Sequence, residues 1–100
     1  MLNSSSFKVI LVGSGDALGT GGRNQTCIWV RYASTAFLID CGPTSLSALK
    51  RFNLNPNELD AILLTHGHGD HFAGIPFLLL DFILTGKRQR PLFIFHPPHL

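Results

Sequence analysis

The stretch Thr65-His66-Gly67-His68-Gly69-Asp70-His71 constrains this chain more than any other. Three imidazoles and a carboxylate lie within residues 66–71, directly after the apolar run Ala61-Ile62-Leu63-Leu64. Residues two apart on an extended backbone point to one side, so His66 and His68 address the same region of space. Gly67 and Gly69 carry no Cβ and let the chain turn sharply against whatever those side chains hold. Asp70 and His71 fall where a following helix begins, so Asp70 either caps that helix or turns its carboxylate into the site. Nitrogen and oxygen donors without a nearby thiolate suit zinc, manganese or iron better than a soft metal. A solvated His-rich loop is the bland alternative. Four potential ligands at this spacing, between an apolar strand and an apolar helix, favour a metal centre.

The rest of the chain divides around that stretch. Residues 7–12 read as a strand whose run Val9-Ile10-Leu11-Val12 predicts burial on both faces. The ten residues 13–22 hold five glycines. They raise the dinucleotide-binding fingerprint, but Leu18 stands where its third glycine belongs, and the β-type run Thr26-Cys27-Ile28-Trp29-Val30 follows instead of a helix. A flexible turn at the edge of a site fits better. Residues 26–32 and 35–40 form a hairpin about Ala33-Ser34. Its second strand delivers Asp40-Cys41-Gly42, and Pro43 opens a helix with Leu46, Leu49 and Phe52 on one face and Lys50 and Arg51 near its end. Residues 72–84, ten of thirteen apolar, predict a helix buried on nearly every side and ended by a left-handed cap at Gly86. A basic loop, Lys87-Arg88-Gln89-Arg90, leads to a last strand at 92–95 and then His96-Pro97-Pro98-His99-Leu100. The fold class is therefore α/β, a β-meander followed by β-α-β-α-β alternation.

Composition sharpens this. The 100 residues are 45% hydrophobic and only 14% charged, which leaves too little charge to cover a free-standing domain of this size. Some apolar faces are therefore meant for a partner. A net charge of +2 implies no nucleic-acid partner by itself. Two cysteines, Cys27 and Cys41, are too few for a disulfide framework, and a reducing cytoplasm is the expected setting. Residues 1–6 read as a disordered N-terminus without a signal peptide. The thirteen-residue apolar run at 72–84 is too short to cross a bilayer about 30 Å thick, so no membrane partner is expected.

His66-x-His68-x-Asp70-His71 resembles the signature of the metallo-β-lactamase-fold hydrolases. Leu11-Val12-Gly13-Ser14-Gly15-Asp16-Ala17, Arg23-Asn24-Gln25-Thr26, Leu38-Ile39-Asp40-Cys41-Gly42 and the run from Thr65 through Gly74-Ile75-Pro76 look most like its ribonuclease Z and phosphodiesterase branch. The resemblance implies a four-layer αββα sandwich of two similar halves. Residues 1–100 would then be a single partial domain, the N-terminal half, with the second half absent. It implies two divalent ions, zinc foremost with manganese or iron open. His66 and His68 would hold the first, and Asp70 and His71 the second. Asp70 would also handle the proton of the attacking water. Asp40 corresponds to an outer-shell residue that accepts an imidazole N–H and fixes its tautomer. A helix-entry cap before Pro43 is a compatible alternative for it.

Further ligands come, in that family, from the second half: another His, a bridging Asp and a last His. His96 and His99 flank Pro97-Pro98 and read as loop residues rather than ligands, and His96 replaces a glycine often found there in relatives. Asp81 lies in mid-helix. The implied function of the complete protein is metal-dependent hydrolysis of phosphodiesters such as RNA ends or cyclic nucleotides. Ser14 and Arg23 would line the substrate side, where loop N–H groups hold phosphate oxygens. Two other readings compete. One is a truncated half-domain that binds metal without turnover. The other is a nucleic-acid-binding module led by residues 87–90, although aromatic platforms are missing there. The apolar helix at 72–84 implies self-association or a homo-oligomer.

Overall fold

Short β-rich runs bounded by turns give five strands: β1 (Phe7–Gly13), β2 (Cys27–Tyr32), β3 (Thr35–Ile39), β4 (Ala61–Leu63) and β5 (Phe93–Phe95). The structure, a computed structural model, describes residues 7–65 and 67–98; the expected N-terminal tail at 1–6, His66 and His99 lie outside the described residues. The strands form one sheet in sequence order. β1, β2 and β3 are an antiparallel meander, turned at Ala33 with φ 54, and β3, β4 and β5 run parallel. The first parallel crossover carries α1 (Ser45–Arg51). The second carries α2 (Gly69–Phe72) and α3 (Ile75–Asp81), the latter widening into a π-helical turn at Phe82–Gly86.

Pairing fixes which residues share a face. Ile10, Trp29, Leu38, Ile62 and Ile94 lie in one row across the sheet, and Val9, Val30, Phe37, Ala61 and Phe93 lie in the next. The first row belongs to the core, where Trp29, Leu38 and Ile62 pack with Ala48 and Leu49 of α1, Leu78 of α3 and Phe82. Burying each large side chain there stabilises the fold by about 1.5–3 kcal/mol. The second row lies on the face away from this core. On that face Phe7, Val9, Leu11, Phe93 and Phe95 are between 57% and 69% exposed.

Several expectations are corrected at this level. β1 is not buried on both faces, because its outer side chains meet no covering layer among the described residues. The helix over 72–84 is broken at Ala73-Gly74, where the Gly74 N–H turns to the Cys41 carbonyl at 2.9 Å. Within it Leu78 and Phe82 are buried, whereas Phe77, Leu80, Ile83 and Leu84 are exposed. The left-handed residue at its end is Lys87, with φ 49, rather than Gly86. α1 begins at Ser45, and its buried side is Ser45, Ala48 and Leu49, so Phe52 is exposed beyond its end. Asp81 pairs with Lys50 Nζ at 2.9 Å and ties α3 to α1. No helix of the described residues is long and apolar enough to cross a membrane.

Candidate metal centre

β1, β3, β4 and β5 all run in one direction, so the glycine-rich loop after β1 and the ends of β3, β4 and β5 open on one edge. Ligand sites in such sheets gather at the carboxyl ends of parallel strands. β3 ends on Asp40, which adopts a left-handed φ of 62 and is 2% exposed. Aspartate visits this region more readily than most residues because its short side chain finds local partners. Here Oδ1 accepts from the Thr65 N–H and Oδ2 from the Thr65 hydroxyl, each at 2.8 Å. Oδ2 also faces His71 Nδ1 at 2.7 Å. On the far side of that ring, His71 Nε2 lies 3.1 Å from Asp70 Oδ2.

This arrangement fits a divalent cation. With Nδ1–H donating to Asp40, the other ring nitrogen is left as a donor atom beside a carboxylate oxygen, the N/O pair that zinc, manganese or iron takes. Asp40 spends its oxygens on Thr65 and His71 and does not cap α1, whose preceding residue Thr44 makes no side-chain cap bond. His68 precedes α2 in extended backbone with φ −77 and ψ 143. Among the described residues no three His, Cys, Asp or Glu side chains are placed to hold one ion. The structure thus brings Asp40, Asp70 and His71 together, sets His68 at the same turn, and leaves His66 outside the described residues.

The helix that carries Asp70 and His71 is seated by backbone contact. Cys41 N–H donates to the His71 carbonyl at 2.7 Å. A Cβ on Gly42 would stand 2.5 Å from the Asp70 carbonyl oxygen, and one on Gly74 would stand 2.1 Å from the Gly42 carbonyl oxygen. Only glycine fits at either position. Thr65, Gly42 and Gly74 were given no role by sequence reasoning, although two glycines flanking strand end and helix end are a readable sign of close approach. Burial pushes the thiol of Cys27 up to about 11 and that of Cys41 up to about 12, so both stay neutral and supply no thiolate.

The glycine-rich loop lies beside this seat, since Gly42 also abuts the Gln25 side chain and Gly15 N–H donates to the Asn24 carbonyl at 2.7 Å. No α-helix follows the loop, only a 3₁₀ turn at Thr20–Gly22, which removes the dinucleotide-binding possibility. Ser14, Asp16, Thr20 and Arg23 line one open cleft. Hydrogen bonds from Thr20, side chain before backbone, hold Asp16 below the usual carboxylate range. The basic loop at 87–90 is differently employed. Arg88 donates to the carbonyls of Arg90, Asn57 and Pro91 and stacks over Phe82, while Arg90 pairs with Asp60 and donates to the Asn57 and Leu59 carbonyls. These guanidiniums staple the loop to the body and leave little for a nucleic-acid backbone.

A family profile described as Anti-Pycsar protein Apyc1 matches residues 7–99. The chain belongs to that family. Ribonuclease Z of Thermococcus kodakarensis is 36% identical over 93 residues, 93% of this chain and 29% of that protein. Ribonuclease Z of Clostridium kluyveri is 39% identical over 89 residues, again 29% of its length. The chain therefore spans under a third of these curated relatives. Among solved structures, the short form of human tRNase Z superposes with a TM-score of 0.81 at 31% identity, over 90% of this chain and 35% of that one. The metallo-β-lactamase fold protein YhfI of Bacillus subtilis gives 0.78 at 26% identity, over 91% and 37%. The chain has the metallo-β-lactamase fold of the ribonuclease Z branch, in its N-terminal portion.

Proposed function

We propose that the complete protein is a metal-dependent phosphodiesterase of the ribonuclease Z type, acting on RNA ends or small nucleotides. The observation that carries this is Asp40–His71–Asp70: a buried carboxylate 2.7 Å from one nitrogen of His71, and a second carboxylate 3.1 Å from the other. His66 and His68 would hold one divalent ion, and Asp70 and His71 a second, zinc foremost with manganese or iron as alternatives. Such ions, when bound, lower the pKa of water toward neutrality and offset the charge of an anionic diester. Asp40 keeps the His71 proton on Nδ1, so that Nε2 remains a ligand atom. On this reading Asp70 takes the proton of the attacking water, and Ser14, Arg23 and loop N–H groups hold phosphate oxygens. The remaining ligands belong to a second half of the sandwich. The 100-residue portion by itself would bind metal weakly and turn nothing over, in a reducing cytoplasm that keeps Cys27 and Cys41 as thiols.

The test is metal analysis of the full-length protein with turnover of bis-p-nitrophenyl phosphate. Asp70→Ala should lower turnover by about 10²–10⁴-fold with an unchanged circular-dichroism spectrum. Full activity in that variant removes Asp70 from the chemistry. Turnover by metal-free protein in the presence of chelator removes the centre.

A further inference from the structure

The edge that carries the proposed centre also presents a histidine which that centre leaves unused. The Leu64 N–H donates to the Phe95 carbonyl at 2.8 Å, which carries the parallel ladder one residue past β5 and sets His96 beside Leu64. Pro97 has no N–H, so pairing stops there. Neighbouring strands lie about 4.8 Å apart, which puts His96 one strand from Leu64-Thr65 and roughly 10 Å, two strands, from Asp40. The bonds that join His71 to Asp40 and Asp70 do not involve His96, whose ring meets the Pro97 carbonyl. Its position suits a neighbouring part of a substrate lying along the edge, on the side away from the glycine-rich loop.

The chemistry of the ring narrows what it would touch. His96 is exposed, and its Nδ1 lies 2.8 Å from the Pro97 carbonyl oxygen. A carbonyl oxygen only accepts, so Nδ1 donates in this contact, and in the tautomer with a single ring proton Nε2 is a bare acceptor. Pro97-Pro98 stiffens the backbone behind it and lowers the cost of holding the ring in place. A bare acceptor does not bind a phosphate oxygen. It binds a hydroxyl hydrogen, and on a nucleotide the hydroxyl that varies between substrates is the 2′-OH of the sugar.

Resting on the phosphodiesterase reading, we propose that His96 is a specificity-determining residue whose Nε2 accepts a hydrogen bond from the ribose 2′-hydroxyl of the substrate. One such bond on an exposed side chain gives up to about ten-fold discrimination. The test measures kcat/KM of the full-length protein on the p-nitrophenyl 5′-phosphodiesters of uridine and 2′-deoxyuridine. Wild type should favour uridine by several-fold, His96→Ala should bring the ratio to one, and His96→Gln should restore part of it through its amide oxygen. In ¹⁵N-edited spectra, His96 should hold its proton on Nδ1, and its Nε2 should shift with uridine 5′-monophosphate more than with the deoxy form. A wild-type ratio of one, a ratio unchanged in His96→Ala, or a proton on Nε2 overturns the proposal. Bis-p-nitrophenyl phosphate has no sugar, so its turnover by wild type keeps such a failure separate from failure of the phosphodiesterase reading.

Discussion

Asp40 makes three demands on one carboxylate, and each has a separate consequence on substitution. Asparagine tolerates its left-handed φ of 62 and can still accept from the Thr65 N–H. Its amide N–H₂ would then face His71 Nδ1 and force the ring proton to Nε2, turning the ring's lone pair away from Asp70. Asp40→Asn should therefore keep the fold while metal affinity falls about 10–100-fold, the usual cost of losing the partner of a ligating histidine. Competition against a chelator with a parallel thermal melt checks this, and wild-type affinity in the variant would remove Asp40 from that role. Asp40 was legible through the resemblance that puts a strand-end Asp beside an imidazole; the strand end by itself also fitted a helix-entry cap. Its partner Thr65 was not, since a threonine before a histidine is ordinary and only the folded register brings the two within reach.

At the level of elements, the seat of α2 carries the prediction. Gly74 and Gly42 meet backbone to backbone, so a methyl on Gly74 would fall 2.1 Å from a carbonyl oxygen that has nowhere to go. Gly74→Ala should cost about 1–3 kcal/mol or more in urea unfolding and weaken metal binding, because relief requires lifting α2 and with it Asp70 and His71. Gly69 meets nothing within 4 Å among the described residues, so Gly69→Ala should leave stability unchanged or raise it by up to about 1 kcal/mol. Equal losses in the two variants would refute the close-contact account. The order of elements could be read because each strand is bounded by its own turn residues, as at Ala33-Ser34 and Pro56-Asn57. The state of residues 72–84 could not. A run apolar on nearly every side has the same pattern whether its outer side meets a core, a partner or water, and here Leu78 meets the core while Leu84 meets water. The same ambiguity misplaced Val9 and Leu11 of β1.

On the scale of the whole molecule, the radius of gyration of 13.3 Å is close to the roughly 13 Å of a compact chain of this length, yet large apolar side chains remain uncovered. Apart from Leu18, Phe52 and a few less exposed residues, they fall on two surfaces: the sheet face of Phe7, Val9, Leu11, Phe93 and Phe95, and the α3 side of Phe77, Leu80, Ile83 and Leu84. Each uncovered large side chain forgoes about 1.5–3 kcal/mol of burial, so several together outweigh the entropy lost when two chains associate. The 100-residue chain should therefore self-associate in the micromolar range and bind a hydrophobic dye. The sheet face should contribute more than the helix, because the paired rows that form it carry no charged residue across five strands. Val9→Lys with Phe95→Lys should shift the sedimentation profile toward the 11.0 kDa monomer, with little change in unfolding because both residues are already exposed. Phe77→Lys with Ile83→Lys should shift it less. A monomeric wild-type chain that binds no dye would show that these surfaces close on each other in solution, and the picture of a half-sandwich with an open inner face would fall.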